Sequence, residues 1–328
     1  MISELGEVLK NNARVAVVVV SYNRIGTLTE VINGIRSQTR PVDKIIVVDN
    51  GSSDGSRELV SSLHGEIGLI SSSTNGGGAG GFAKGIAWAM ELDYDFVWLM
   101  DDDAVPHDDA LALLLQPFDQ GLARPVAFTC PRVNDAAGKV GPRNFPLISQ
   151  SFDEVYPAVS KGLLPVKAAT FVGPLISLDI ARKTHLPLED FFIWHDDMEY
   201  TARLAQYGTA YSVPSAQMIH FVTNPGPRSY NAGRNFYNVR NIIWWIIEAR
   251  GNKSYDVRVL VRQLRGSIRS QFQAAPNKIA FLGILIKAVW AAVTKSPRRR
   301  GFIELVAESR LNDGFAFIHS EKENPAVG

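Results

Sequence analysis

Apolar residues run together in short segments of the first hundred positions. Residues 15–20 (VAVVVV), 44–49 (KIIVVD) and 96–100 (FVWLM) are almost entirely apolar, and polar or turn-forming residues follow each of them. Residues 67–72 (IGLISS) are a weaker segment of the same kind. Runs without polar alternation are typical of strands that are buried on both faces. These segments predict four strands of one buried, parallel sheet.

Helical periodicity appears between these segments. Leu28, Val31, Ile32 and Ile35 lie at the spacing of one helix face, directly after the first predicted strand. Residues 75–90 pass from a glycine-rich loop into another helical segment. Strands that alternate with helices indicate parallel βαβ units. The sequence therefore predicts an α/β fold with a mostly parallel, doubly wound, Rossmann-like sheet.

The second half of the chain has longer and less regular elements, and it ends in a helical C-terminal extension followed by a polar tail. The predicted elements are a strand at 168–178, a helix at 195–208, one or two short strands at 210–222, a helix at 234–251 and two helices within 256–296.

Composition narrows the class of protein. The chain has 328 residues, 46% of them hydrophobic and 20% charged, which is an ordinary globular composition. The single cysteine, Cys130, excludes an intramolecular disulfide and a thiolate metal cage. The longest apolar stretch, residues 279–293, contains Lys287 and is too short to span a membrane, and residues 1–14 have no apolar signal core. We therefore expect a cytoplasmic protein.

Charge is distributed unevenly. Residues 251–300 hold four Lys and seven Arg against one acid, a net charge of +10 in a chain of formal charge +1. Phe272, Phe281 and Trp290 are interspersed in this segment. Such a segment suits an anionic membrane surface. A solvated helical appendage or an interface between copies of the chain remains the alternative.

Polar residues follow three of the predicted strands. The carboxyl ends of parallel strands meet at one crevice, where ligands bind in sheets of this kind. Three consecutive carboxylates repel one another, and a divalent cation such as Mg²⁺ or Mn²⁺ offsets that repulsion and also binds phosphate oxygens. A solvated turn is the alternative. The strand-end residues are Ser21, Tyr22, Asn23, Asp49, Asp101, Asp102 and Asp103.

The glycine-rich loop has five Gly in the six positions 76–81. It lacks the GxGxxG spacing of a dinucleotide-binding fold and the Lys-Ser/Thr of a P-loop. Its glycines permit close approach of the backbone, and N–H groups are exposed at the start of the helix. We expect Asn75, Gly77 and Gly78 to contact substrate, and loop flexibility alone is the alternative.

Acids cluster again at the start of the predicted helix at 195–208. Trp194 and His195 lead into Asp196, Asp197 and Glu199. One of these carboxylates could act as a general base opposite the metal site. Acids in the first turn are also common because they complement the helix dipole, which is the alternative.

His220 and the helix at 234–251 each have two interpretations. A lone His in an apolar strand is more often a core residue, but His220 would supply the nitrogen ligand that the acidic site lacks. Tyr237, Arg240 and Asn241 could border an acceptor or belong to the core.

These motifs, in this order, resemble family 2 inverting glycosyltransferases of the GT-A fold, over about residues 14–245. The loop NGGGAGGFAKG together with WLMDDDAVP and WHDDMEY resembles bacterial galactofuranosyltransferases and their rhamnosyltransferase relatives. The resemblance implies transfer of galactofuranose from UDP-galactofuranose, or of rhamnose from dTDP-rhamnose, to a polyprenyl-diphosphate-linked or polysaccharide acceptor in bacterial cell-envelope synthesis. It implies a cofactor, Mn²⁺ or Mg²⁺, and an enzyme that is peripheral at the inner face of the cell membrane.

The same resemblance assigns roles. Asp197, the second acid of the pair, becomes the catalytic base, and Asp49 contacts the uridine. Asp101 lies near the ribose or diphosphate and, with Asp103 and His220, at the metal. The other residues expected to bind substrate are Ser21, Tyr22, Asn23, Arg24, Asn75, Gly77, Gly78, Asp102, Trp194, His195, Asp196 and Glu199.

The expected domain organisation follows from this division of roles. Residues 1–250 form the GT-A catalytic domain, with a nucleotide-sugar half at about 14–130 and an acceptor half at about 131–250. Residues 251–328 form the basic helical region. A homo-oligomer is compatible with this organisation.

Three other functions compete with this interpretation. A nucleotidyltransferase would usually carry a glycine-rich loop with Lys or Arg after the first strand, where this chain has SYNRIGTL. Nucleic acid is not an expected partner, because an acidic crevice repels phosphates unless it is loaded with metal, and no binding module accompanies the basic segment. A non-catalytic nucleotide-sugar binding protein is disfavoured by the intact Asp101, Asp103 and Asp197.

Overall fold

The fold is described from a computed structural model of the chain. The structure describes residues 13–63, 67–120, 122, 124–221, 231–252 and 255–317. The expectation that the N-terminus lacks a signal core falls largely on residues 1–12, which lie outside the described residues. The predicted C-terminal region also extends beyond them, past residue 317.

Eleven strands and eleven α-helices are present in the described part of the chain. The strands are β1 (Val15–Ser21), β2 (Lys44–Asp49), β3 (Ile67–Ser71), β4 (Phe96–Asp101), β5 (Ala104–Pro106), β6 (Val126–Asn134), β7 (Leu147–Ile148), β8 (Leu164–Ala168), β9 (Leu175–Ser177), β10 (Thr209–His220) and β11 (Gly314–Phe317). The helices are α1 (Ile25–Arg36), α2 (Ser56–Ser62), α3 (Gly77–Glu91), α4 (Ala110–Asp119), α5 (Phe152–Val159), α6 (Leu178–Ala181), α7 (Asp196–Leu204), α8 (Ala232–Asn252), α9 (Val257–Ala274), α10 (Lys278–Thr294) and α11 (Phe302–Asn312).

All the strands belong to one sheet, in the order β11-β3-β2-β1-β4-β9-β6-β10-β8-β7, with β5 paired to β10. Strands β3, β2, β1 and β4 are parallel, as the sequence predicts. Strand β9 runs antiparallel between β4 and β6, which periodicity does not reveal. The predicted α/β fold with a mostly parallel central sheet is confirmed.

Helices cover both faces of this sheet, and β1 shows how the sequence achieves this. Its alternate residues enter different cores: Val18 packs with α3, whereas Val17 packs with α1 and α4. Side chains alternate along a strand, so a strand between two helical layers must be apolar throughout. The predicted stripe of α1 is buried at every position, namely Leu28, Val31, Ile32 and Ile35.

Two predicted elements differ in the structure. The strand expected over 168–178 is divided between the end of β8 and β9, because the chain turns at Gly173, whose φ is +82°, and continues through Pro174. The helix expected to reach Gly208 ends at Leu204. Apolar composition marks both segments as buried but does not reveal the turns within them.

The end of the described chain is built into the central sheet and its helical layer. Helix α11 packs against α3, where its Leu305 and Val306 join the core of that face. Strand β11 then pairs antiparallel with β3 at the edge of the sheet. The prediction of a polar tail is wrong for residues 302–317, because the segment FIELVAESRL carries enough apolar residues to bury one helix face.

Helices α8, α9 and α10 pack on one another beside the sheet. Leu260 of α9 enters a core with Ile242 and Trp245 of α8, and Phe281 of α10 meets Phe272 of α9 with ring centroids 6.0 Å apart. Within the described segments, no helix has both the length and the apolar character needed to cross a bilayer.

The positive charge of residues 251–300 divides into two groups. Three arginines form ion pairs with acids from earlier in the chain: Arg298 with Asp190, Arg299 with Glu248 and Arg300 with Glu189. A second row along α9 is exposed, and its guanidinium groups form no ion pair with any described residue. This row consists of Arg258, Arg262, Arg265 and Arg269.

Candidate active site

The strand ends meet as the sequence predicts. Strands β2, β1 and β4 are neighbours, with Ser21 paired in register with Asp49 and Val20 with Asp101. The loops that follow β1 and β2 are joined by hydrogen bonds, one from the Ser53 N–H to the side-chain oxygen of Asn23 at 2.7 Å. Residues from three strands thus meet at the carboxyl edge of the sheet, where the sequence places the crevice.

Asp101, Asp103 and His220 form a cluster at this edge. Their ligand atoms all lie within 4.8 Å of one another. Strand β5 follows the acids directly and pairs antiparallel with β10, with Ala104 opposite His220, so the imidazole is brought beside the carboxylates. His220 Nε2 lies 2.9 Å from Asp103 Oδ1 and 4.0 Å from Asp101 Oδ2. Two carboxylates and an imidazole are a donor set that suits Mn²⁺ or Mg²⁺.

The electrostatics of the cluster favour a bound cation. Burial raises the pKa of Asp101 to about 7, with His220 lowering it and the charges of neighbouring Asp residues raising it further. Burial acts to lower the pKa of His220, but the hydrogen bond to Asp103 and the charges of Asp101 and Asp103 outweigh it, so this pKa is raised. The raised pKa of His220 reflects the negative charge of Asp101 and Asp103, which a divalent cation would offset.

Asp102 has a different environment from its two neighbours. Its Oδ2 accepts a hydrogen bond from the Tyr22 N–H at 2.9 Å. Burial raises its pKa to about 6, against this hydrogen bond. The Arg24 guanidinium lies 3.8 Å from Asp103 Oδ2. Tyr22 and Arg24 therefore lie beside the acidic strand end, and the Tyr22 side chain is exposed.

The carboxylate of Asp49 is buried and held by a residue that the sequence did not point to. Arg57 donates from Nε and Nη2 to Asp49 Oδ2, at 3.2 and 3.1 Å. The Ser52 N–H lies 3.2 Å from Asp49 Oδ1. Arg57 is the second residue of α2, where an arginine is ordinarily a surface residue, so nothing in the sequence distinguishes it as a site residue.

The glycine loop bends into the crevice at Gly77, whose φ is +71°. The Asn75 side-chain oxygen accepts from the Gly77 N–H at 2.7 Å, and the Asn50 amide donates to the Gly77 carbonyl at 3.0 Å. A side chain at Gly78 would begin 4.0 Å from Asp196 Oδ2. The predicted loop residues therefore lie between the end of β2 and the acid pair, and buried Asn50 is an additional contact.

The segment 191–195, which precedes the acid pair, has an unusual backbone. Three of its residues, none of them glycine, have positive φ: Phe192 at 65°, Trp194 at 70° and His195 at 68°. Such conformations cost free energy and persist where neighbouring groups enforce them. The fully buried Asn241 supplies that constraint, because its amide donates at 2.9 Å to the carbonyls of Phe191, Ile193 and Trp194. Asn241 thus supports the segment and does not border open space.

The acid pair begins α7. Burial raises the pKa of Asp197 to about 6, although backbone N–H groups that include that of Met198 oppose the rise. Burial and the charge of Asp197 together raise the pKa of Asp196 well above its ordinary value. Asp196 therefore holds its proton more tightly, and Asp197 is the stronger candidate for an unprotonated base at neutral pH. His195 lies beside the pair, with Nε2 2.8 Å from the side-chain oxygen of Asn238.

Glu199 is the predicted site residue that the structure does not bring to the crevice. Its side chain is fully buried, and both carboxylate oxygens lie 2.9 Å from the guanidinium of Arg203. This pair fixes α7 against the loop at residues 184–186, whose carbonyls Arg203 also binds. Side chains four residues apart lie side by side on a helix, so the spacing of Glu199 and Arg203 in the sequence is compatible with an ion pair.

The fold and the crevice define a class of protein: a glycosyltransferase of the GT-A fold. Residues 16–173 match the family model "Glycosyl transferase family 2". This match, over slightly less than half of the chain, assigns residues 16–173 to glycosyltransferase family 2.

Curated relatives agree with this assignment. "Galactofuranosyltransferase GlfT1" of Mycolicibacterium smegmatis is 32% identical over 200 residues, which is 59% of this chain and 66% of the relative. The protein of the same name from Mycobacterium tuberculosis is 33% identical over 196 residues, 58% of this chain and 64% of the relative. The matches thus span slightly less than two thirds of these relatives.

Solved structures share the fold at low sequence identity. GalNAc-T7 with UDP, GalNAc and Mn²⁺ superposes with a TM-score of 0.59 at 14% identity, over 90% of this chain and 56% of that one. Mannosyltransferase PcManGT from Pyrobaculum calidifontis, with GDP-Man and Mn²⁺, has a TM-score of 0.51 at 17% identity, over 92% of this chain and 81% of that one.

Proposed function

We propose that this protein is a metal-dependent inverting galactofuranosyltransferase that uses UDP-galactofuranose in bacterial cell-envelope glycan synthesis. One observation carries the proposal: the ligand atoms of Asp101, Asp103 and His220 lie within 4.8 Å of one another at the carboxyl edge of the sheet. A side chain added at Gly78 of the neighbouring glycine loop would begin 4.0 Å from Asp196 Oδ2, at the acid pair. Such a crevice can hold a sugar donor by its diphosphate and place a base at its sugar. The identity to the two galactofuranosyltransferases supports the choice of donor.

The strand ends and the glycine loop would bind the donor. Asp49, held by Arg57, would face the uracil, and residues 21–24 would line the nucleoside. Asn75, Gly77 and Gly78 would contact the donor through the glycine loop, where the absence of side chains at the glycines permits close approach. Trp194, His195 and Asp196 would border the sugars, with His195 on the acceptor side.

Asp101, Asp103 and His220 would hold Mn²⁺ or Mg²⁺. The bound cation supplies positive charge that stabilises the leaving nucleoside diphosphate. The Mn²⁺ present in the structures of the two similar transferases supports this cofactor. Arg24, 3.8 Å from Asp103, adds a second positive charge at the same edge.

Asp197 would carry out the proton transfer. Its carboxylate accepts the proton of an acceptor hydroxyl while that oxygen bonds to the anomeric carbon. The bond from this carbon to the diphosphate oxygen breaks, and the nucleoside diphosphate leaves with the electron pair. A single displacement inverts the configuration, and no covalent sugar intermediate is needed. The raised pKa, about 6, makes Asp197 a stronger base than an ordinary carboxylate while leaving it ionised at pH 7.

The acceptor would be a polyprenyl-diphosphate-linked or polysaccharide glycan, and a lipid-linked chain is presented at a membrane. Exposed apolar residues of α10, including Ile279 at 82% and Trp290 at 69%, and the arginine row of α9 would contact an anionic surface. The protein would then be peripheral at the inner face of the cell membrane. This basic region, residues 251–328, would act with the catalytic region 1–250, and an interface between copies is the competing use of the same helices.

Donor binding and turnover test the proposal. We would measure Mn²⁺-dependent binding by calorimetry, and donor hydrolysis, against a panel of UDP- and dTDP-sugars. Selective use of UDP-galactofuranose is the expected result. Exclusive binding of dTDP-rhamnose would instead identify the protein as a rhamnosyltransferase. Asp103→Ala should abolish the metal-dependent part of UDP binding. Binding of a sugar nucleotide without any transfer would favour a non-catalytic binding protein, and exchange of nucleotidyl groups would favour a nucleotidyltransferase.

A further inference from the structure

His220 is held at both of its ring nitrogens. Nε2 faces the carboxylates, 2.9 Å from Asp103 Oδ1. On the opposite side of the ring, the side-chain amide of Asn144 lies 2.7 Å from Nδ1. Asn144 is 76 residues away in sequence, so the fold, and not the local chain, brings it there.

The position of Asn144 is fixed by structure on both sides. Before it, a turn closed by Asp135 returns the chain to an isolated bridge between Asn134 and Val140. After it, β7 pairs with β8. Asn144 ends the short 3-10 turn Pro142–Asn144 between these two anchors. The segment therefore places its amide against the imidazole without a long, free loop.

A histidine that binds a cation through Nε2 must have its proton on Nδ1. The partner of Nδ1 then fixes the ring orientation and the tautomer. A side-chain amide can meet both states, because its NH₂ donates to a bare Nδ1 and its oxygen, after a half-turn of the amide, accepts from a protonated one. The 2.7 Å contact fits either arrangement.

We propose that Asn144 is a positioning residue for His220. Asn144 holds the imidazole toward Asp101 and Asp103, and its side-chain oxygen accepts a hydrogen bond from Nδ1–H when Nε2 binds a divalent cation. This inference rests on the proposed metal site. Asn144 is not itself one of the proposed metal ligands. Its expected effect is on the affinity for the metal and not on the chemical step.

The experiment measures Mn²⁺ dissociation constants for the full chain by electron paramagnetic resonance of free Mn²⁺, with melting temperatures of the metal-free proteins alongside. Asn144→Leu keeps a similar volume and removes both hydrogen-bonding groups, and it should weaken binding about 10- to 100-fold. Asn144→Asp retains an acceptor for the Nδ1 proton and should bind within a few-fold of the unaltered protein. Asn144→Ala replaces Asn144→Leu if the latter does not fold.

A double-mutant cycle separates positioning from a general structural role. His220→Ala should weaken binding at least as much as Asn144→Leu, and adding Asn144→Leu to His220→Ala should weaken it no further. If the unaltered protein binds no Mn²⁺, the proposed metal site itself fails. If it binds Mn²⁺ but Asn144→Leu binds equally well, or Asn144→Leu and Asn144→Asp lose affinity equally, or the two losses simply add, the role of Asn144 is refuted.

Discussion

The carbonyl oxygen of Phe192 occupies the space that a side chain at Gly77 would need. A Cβ atom at Gly77 would lie 2.0 Å from this oxygen, and the Ala79 N–H donates to the same oxygen at 3.3 Å. The glycine loop is therefore in direct contact with the segment that precedes Asp196 and Asp197. A displacement of the glycine loop would therefore displace the segment at Phe192, and the reverse also holds.

Gly77→Ala should disturb both stability and transfer. The substitution places a methyl group against backbone, at a φ of +71° that alanine adopts only at a cost of about 1–2 kcal/mol. We expect the free energy of unfolding in denaturant to fall by at least that amount, and transfer to fall because Phe192 must move. Gly80→Ala is the matched control for stability, since nothing lies within 4 Å of its Cβ position in the same helix. Equal unfolding free energies for the two variants would contradict the contact.

Asp197→Asn should separate donor binding from transfer. The amide keeps the shape of the side chain but cannot accept the hydroxyl proton, so transfer should fall by about 10²- to 10⁴-fold. Donor affinity, measured by calorimetry with Mn²⁺, should stay close to that of the unaltered protein. Asp196→Asn is the informative companion, because a carboxyl that already holds its proton loses less when it becomes an amide. Transfer that survives Asp197→Asn would exclude Asp197 as the base.

The rate of transfer should rise with pH. The pKa of Asp197 is raised to about 6, so the residue is mostly protonated below that pH and mostly ionised above it. A base acts only when ionised, so the single-turnover rate at pH 5 should be about a tenth of its plateau above pH 7. The measurement needs saturating donor and metal at every pH, because protons also compete with cations for carboxylates. A flat profile from pH 5 to 8 under these conditions would point to a different proton acceptor.

Vesicle flotation tests the arginine row of α9. Arg262→Gln, Arg265→Gln and Arg269→Gln together remove three exposed charges, each worth about 1 kcal/mol near an anionic surface, so binding to phosphatidylserine vesicles should weaken about 100-fold. The control removes three exposed lysines of the catalytic body, Lys139, Lys161 and Lys183. Equal flotation of both triple variants, or no flotation of the unaltered chain, would contradict the membrane proposal and favour an interface between copies, which sedimentation would reveal.

The central sheet and the strand-end part of the site could be predicted because local pattern determines them. A continuous run such as 15–20 can be satisfied only between two apolar layers, and parallel strands deliver their last residues to the same edge. Asp49 and Asp101 were therefore recognisable from position alone. Glu199 was misleading because acids in a first helical turn are common whatever they face, and the four-residue spacing to Arg203 does not reveal that the pair is buried.

The supporting residues could not be predicted, because long-range contacts bring them to the site. Asn144 reaches His220 across 76 residues, and Asn241 reaches the carbonyl of Trp194 across 47. Asn144 has no distinguishing neighbours in sequence. Asn241 gave a weak signal, as an amide beside the apolar run IIWWII of α8. Only the fold shows that its partners are carbonyl groups of a segment with positive φ.

The pairing of β11 with β3 also determines how the C-terminal region can be tested. An edge strand with unpaired N–H and C=O groups is a template for association with other chains, and β11 covers that edge of β3. Deleting residues 251–328 would uncover it and would also remove α11 from the core beside α3. A shortened chain could then aggregate or self-associate for reasons unrelated to lipid, so point substitutions on α9 are the sounder probe.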